Sequence, residues 1–178
     1  MPILKKRMAN VGNSNYHKKI LITNLVVLVS LNIFLQTYVS PTGNAAFNGA
    51  DINNPTTLVH AISLLNSTTT TPLTIYLRGG TYTLTAGISL ASSRSGTATN
   101  IKNLLAYSGD ARPILDFSGV QPRATTSASG ARGITFSPSY WLIKGVDFAS
   151  APNNGLFVSA SNNTIENCAF YRNQDTGL

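Results

Sequence analysis

The chain has 178 residues, 43% of them hydrophobic and only 11% charged. That is enough apolar content for a core, and the neutral, turn-rich remainder suits an extracellular all-β protein better than a cytosolic helical one. The net charge of +7 is concentrated at the start: Lys5, Lys6, Arg7, Lys18 and Lys19 precede residue 20 with no acid among them, leaving eight basic against six acidic residues afterwards. That near balance excludes nucleic acid as a partner, because no broad basic field remains.

In chain order, the first element is an address. Lys18 and Lys19 precede an apolar run from Ile20 to Leu35, diluted by Thr23, Asn24, Ser30 and Asn32. A membrane-spanning helix wants about 20 predominantly apolar residues, so this shorter run reads as a signal-peptide core, with an uncleaved anchor as the alternative. Residues 1–36 are therefore assigned as signal peptide or membrane anchor. The remainder is expected outside the cytoplasm: secreted, periplasmic or surface-anchored, with a membrane partner only if the segment is retained.

Tyr38 to Asn44 reads as a short strand and turn. Asn54 and Pro55 are expected to cap and open a helix, whose Leu58, Ala61, Ile62 and Leu65 make one apolar face. His60 lies off that face. A short amphipathic helix ahead of a run of strands has a purpose, since a stack of strands has an open end to cover. Strands are expected from Leu73: Leu73, Ile75 and Leu77, then Tyr82 and Leu84, then Ile88 and Leu90, followed by Leu104–Tyr107 and Ile114–Phe117. The turns Arg78-Gly79-Gly80 and Ser108-Gly109-Asp110 and the loops 92–100 and 121–132 separate them. These early strands keep no clean period, so loops must interrupt the stack.

After residue 132 a repeat sets in. Gly133, Gly155 and Gly177 are 22 apart, and so are Ile134, Leu156 and Leu178. Phe136 matches Val158, Ile143 matches Ile165, Val146 matches Cys168 and Phe148 matches Phe170. Each period holds three short alternating strands. The pair Lys144-Gly145 occupies the place of Glu166-Asn167, and Gly and Asn best tolerate the left-handed conformation, so a sharp bend is expected there. Such strands bury their apolar faces only by stacking copies about 4.8 Å apart. The expected fold is an all-β, right-handed parallel β-helix, a solenoid of rungs of about 22 residues over 37–178, with an N-terminal amphipathic cap helix. Leu178 interrupts a rung, so truncation at the C-terminus is expected. A leucine-rich repeat would need a denser leucine pattern.

The segments YVSPTGN at 38, TIYLRGGTY at 74, AYSGDARPILDFSG at 106, YWLIKGVDF at 140 and NNTIENCAFYRNQDTGL at 162 resemble the N-terminal half of secreted bacterial pectate lyases, above all polysaccharide lyase family nine. The resemblance runs from about Tyr38 to Leu178. It implies an acidic polysaccharide, pectate, as partner. It also implies Ca²⁺ held by clustered aspartates, which acidifies the uronate C5 proton, and a lysine base that removes it in a β-elimination. In that pattern the aspartates and the lysine lie on rungs after the DTGL segment, so none is matched to a residue of this chain.

The residues agree. Asp51, Asp110, Asp116, Asp147, Glu166 and Asp175 are scattered, whereas Ca²⁺ wants six to eight oxygen ligands and a glycosidase needs a carboxylate pair across a cleft. Asp147 and Glu166 occupy different places on neighbouring rungs. Asp175 reads as a turn residue bonding its own backbone. Lys144 reads as solvated, Tyr140 and Trp141 as packing residues, and the single Cys168 as a small core residue that has no disulfide partner. Phe157 is expected to point outward, where it could stack on a sugar or be covered. Asn66-Ser67-Thr68 and Asn162-Asn163-Thr164 fit the glycosylation pattern. No catalytic, cofactor-binding or metal residue is assigned. Two functions stay open: the N-terminal part of an extracellular polysaccharide lyase whose catalytic rungs lie elsewhere, or a non-catalytic β-helix module for glycan binding or adhesion.

Overall fold

A computed structural model describes residues 36–65, 73–121 and 131–178. The amino-terminal apolar run, the Asn66 glycosylation pattern and most of the 121–132 loop lie outside these residues. The strands follow in order as β1 (Gln36–Val39), β2 (Thr74–Leu77), β3 (Gly80–Thr83), β4 (Ile88–Leu90), β5 (Lys102–Ala106), β6 (Pro113–Asp116) and β7 (Ile134–Phe136), then β8 (Trp141–Lys144), β9 (Asp147–Ala149), β10 (Leu156–Val158), β11 (Thr164–Glu166) and β12 (Ala169–Tyr171). Among the described residues one α-helix, α1 (Leu58–Leu64), stands between β1 and β2.

These strands make three parallel sheets. The first orders β1-β2-β5-β8-β11, the second β3-β6-β9-β12 and the third β4-β7-β10. The chain visits the sheets in turn, so each circuit is one rung and each strand pairs with its copies above and below. Ile143 sits in register with Ile165, and Phe148 with Phe170. The two phenyl rings stack with centroids 5.1 Å apart and planes 9° apart. Inward columns run Ile75, Leu104, Ile143, Ile165 and Tyr82, Leu115, Phe148, Phe170, and they join one core.

The expected bends are present. Gly145 has φ +74° and Asn167 φ +52°. Two further corners share the 22-residue register: Tyr140 and Asn162, both at φ +60°, and Ser150 and Arg172 at +62° and +57°. Asparagines fasten the last rung to the one before. Asn163 accepts from the Trp141 amide at 2.9 Å and donates to the Pro138 carbonyl at 2.8 Å, and Asn173 accepts from the Ala151 amide at 2.9 Å.

Two expectations need correction. The short strand read from Tyr38 starts at Gln36 and is itself part of the stack, ahead of the strands expected from Leu73, because β1 pairs in full register with β2 from Gln36–Thr74 to Val39–Leu77. The helix is capped by Thr57, not Asn54: the Thr57 hydroxyl accepts from the His60 amide at 3.2 Å. Asn54 is occupied in a turn where its amide group donates to Asp51, and Thr56, paired in parallel with Val39, keeps the chain extended past Pro55. The apolar face of α1 stands as read, with Leu58, Ala61 and Leu65 buried in the same core as Val39. The helix packs on β1, the outermost strand of the first sheet, and so closes that end of the stack. Arg94, in a 3-10 turn over Ser92–Arg94, holds the helix end by donating to the Ile62 carbonyl at 2.6 Å and to that of Leu65.

Candidate functional site

The alternation of each strand decides which side chains leave the core. In the third sheet Ile88, Ile134 and Leu156 turn inward, and Ser89, Thr135 and Phe157 make the outward row, in mutual register. Arg132, two residues before β7, lays its guanidinium on that row, 3.5 Å from the centroid of the Phe157 ring. Phe157 is therefore outward-facing, as expected, but half-buried beneath a cation. Beside it lies a groove of about 410 Å³, lined by the polar residues Thr85, Ser89, Gln121, Arg132 and Thr135. Ile88 and Val120 give it an apolar part.

Arg132 differs from most other described cations of the stack, although the exposed Arg172 likewise has only an aromatic contact, to Tyr171. Arg78 pairs with Asp110, its Nε 2.5 Å from Oδ2. Arg112 holds both Asp147 and Asn167, with Nε 3.0 Å from the Asp147 carboxylate and Nη1 3.1 Å from the Asn167 Oδ1. Lys144 pairs with Glu166 at 2.7 Å. Lys102 is only 1% exposed and donates to the Arg94 carbonyl at 3.2 Å, an acceptor shared with the Trp141 indole at 3.0 Å. Burial, with some help from Arg94, pulls the Lys102 ammonium below the usual lysine range. Among the described residues Arg132 makes no hydrogen bond or ion pair, and its Nε is buried without a partner.

The acids do not converge. Each has its own local partner: Asp51 the Asn53 amide, Asp116 the Ser118 amide, Asp175 the Thr176 amide, and Asp110, Asp147 and Glu166 the cations above. Arg78 and the Gly79 amide hold the Asp110 carboxyl below the usual carboxylate range. Among the described residues, which include all six acids, no three His, Cys, Asp or Glu side chains gather as a metal site would require. This donor set does not fit Ca²⁺, which needs several carboxylate and carbonyl oxygens at one point. Lys144 is exposed and paired, Trp141 is buried, and Tyr140 is half-buried at a left-handed corner. Cys168 is half-buried, and burial raises its thiol above the usual range, which disfavours the thiolate.

Sequence reasoning missed Arg132 and Lys102. Arg132 closes a low-complexity loop, and its partner ring lies 25 residues downstream with no motif joining them. The only available signal was its position just before the Gly133 that opens the repeat. A second outward feature was also missed: Tyr38, Tyr76 and Tyr107 cluster on the first sheet, with centroids 5.6 to 6.0 Å apart, beside the Arg78–Asp110 pair, whose guanidinium lies 5.2 Å from the Tyr107 ring.

Known proteins share this fold. The model for the "Pel9A-like, right handed beta helix region" matches residues 37–178. A pectate lyase L of Paenibacillus polymyxa is 40% identical over 105 residues, 59% of this chain and 22% of its own length. A pectate lyase L of Thermoclostridium stercorarium is 34% identical over 168 residues, 93% of this chain and 12% of its own. The crystal structure of pectate lyase Pel9A superposes with a TM-score of 0.62 at 31% identity, over 78% of this chain and 34% of that one. A rhamnogalacturonan lyase, at 20% identity and a TM-score of 0.57, shares the fold. The chain thus spans between about an eighth and a third of the length of these relatives. With its whole stack matched, from the first strand to the last, the chain belongs to the Pel9A-like right-handed β-helix family.

Proposed function

We propose that this chain is the N-terminal β-helix part of an exported polysaccharide lyase that cleaves pectate by β-elimination. The observation that carries the reading is the family match over 37–178, together with relatives that are themselves pectate lyases. In this reading the rungs described here build the scaffold and its capped end. Calcium and the general base belong to parts of the lyase outside this chain, because the acids here are committed to turns and ion pairs. The alternative, a non-catalytic module for glycan binding or adhesion, draws on that same commitment of the acids.

A chimera separates the two. Residues 37–178 replace the corresponding rungs of the Paenibacillus pectate lyase L, and the folded product is given polygalacturonate and calcium. The expected outcome is a steady rise in ultraviolet absorbance from unsaturated uronate ends. A chimera that folds, as judged by circular dichroism, yet releases no such product overturns the lyase reading. The 178-residue chain by itself is expected to release none, and calcium-dependent product from it would require a catalytic site among residues assigned here to structure.

A further inference from the structure

We propose that the groove on the outer face of the third sheet is a glycan carboxylate site, with the Arg132 guanidinium as its anion-binding group. The ligand class, a polyuronate, rests on the lyase reading above; the anionic chemistry rests on the groove alone. Three observations converge. Arg132 is a half-buried guanidinium that lacks any carboxylate partner, although every acid of the chain is accounted for elsewhere. Its Nε is shut away from water with no acceptor among the described residues, so the hydrogen-bonding capacity of the guanidinium is not met within the described fold. The Arg132 Cζ lies over the Phe157 ring, 3.5 Å from its centroid, a contact that restrains the guanidinium and reduces the ordering needed to bind.

The surroundings suit a sugar. A groove of about 410 Å³ is within the usual range for small-ligand clefts. Thr85, Ser89, Gln121 and Thr135 line it, and their side chains carry donors and acceptors suited to sugar hydroxyls. Arginine suits a planar carboxylate better than lysine because its N–H groups form a fixed fork. Arg132 therefore binds the carboxylate and Phe157 positions it.

The test uses the full chain and short oligogalacturonates, titrated calorimetrically at low ionic strength beside fully methyl-esterified oligomers. The acid form is expected to bind and the ester form to bind at least about tenfold more weakly, the scale of one lost charge-assisted contact. Arg132→Gln is expected to lose at least about tenfold for the acid form, and Arg132→Lys to recover only part of it. Phe157→Leu, which keeps the charge but removes its platform, is expected to weaken binding less than Arg132→Gln. Arg172→Ala, an exposed guanidinium elsewhere, is expected to match the parent chain. Circular dichroism verifies that each variant is folded. Equal binding by Arg132→Gln and the parent, equal binding of acid and ester, or no binding of the acid form by the parent would each overturn the site. The lyase reading survives any of those results, because the chimera's turnover judges it separately.

Discussion

Left-handed corners place unequal demands on the residues that fill them. A β-carbon in that conformation costs roughly 1–2 kcal/mol, less for Asn and nothing for Gly. Gly145 and Asn167 fill their corner cheaply, whereas Tyr140, Ser150 and Arg172 hold theirs at positive φ without that advantage. Arg172 is exposed, and its guanidinium is 6.0 Å from the Tyr171 ring centroid, a weak contact. Arg172→Gly is therefore expected to stabilise the fold by up to about 1 kcal/mol, since relief of the corner exceeds the added chain entropy. Asn167→Val, which puts a β-branched residue at φ +52° and removes an acceptor of Arg112, is expected to destabilise by about 2 kcal/mol. Urea denaturation of both variants measures the signs, and a neutral Asn167→Val would mean the corner is not under conformational constraint. The bend at 145 and 167 was legible because Gly and Asn advertise left-handed backbone. The corners at 140 and 150 were not, because Tyr and Ser carry no such signal.

Elements are tied to one another mainly across rungs, and the Arg78–Asp110 pair is a case outside the ladders. Arg78 sits between β2 and β3 and Asp110 between β5 and β6, so the pair joins successive rungs at one corner. The Arg78 guanidinium and the Gly79 amide hold the Asp110 carboxyl below its ordinary value. The folded state thus binds this proton less readily than the unfolded chain. The stabilisation is present above the unfolded carboxylate pKa of about 3.9 and is lost as pH falls through the lower folded value. Asp110→Asn should therefore be less stable than the parent near neutral pH, and the gap should close as pH drops below about 4. A gap independent of pH would assign the effect to packing instead. Most elements could be read from the sequence, but their register was readable only after residue 132. There Gly133 recurs because an added β-carbon would lie 2.4 Å from the Gly155 carbonyl oxygen of the next rung. Earlier, the inward residues Ile75, Leu104 and Ile143 are spaced by 29 and 39, since the excursions at 91–101 and 117–133 fall between strands. The strand at β1 was read, but its pairing with β2 was not, because the whole cap helix separates the two.

A solenoid is quasi-one-dimensional, so the protection of any rung depends on having neighbours on both sides. The rung of β8 and β9 has them: Ile143, Val146 and Phe148 are each at most 1% exposed. Their counterparts Ile165, Cys168 and Phe170 are only partly buried, although they pack on the same core. Two of the three positions carry the same residue and the third exchanges Val146 for Cys168, so the difference comes from position in the stack more than from composition. Local opening of β11 and β12 exposes little surface that is not already wet, and it breaks ladder bonds on one side alone. The opening free energy of β11 and β12 should accordingly lie well below that of β8 and β9. At the other end β1 is also terminal, but α1 buries Leu58, Ala61 and Leu65 in the core beside it, so β1 should exchange more slowly than β12. Hydrogen exchange followed by mass spectrometry on the 178-residue chain gives the order directly: β8 and β9 slowest, β1 intermediate, β11 and β12 fastest. Uniform protection from β1 to β12 would mean that the stack unfolds as one cooperative unit and that its stability is not a sum over neighbouring rungs. Exchange in β1 as fast as in β12 would remove the capping role from the helix.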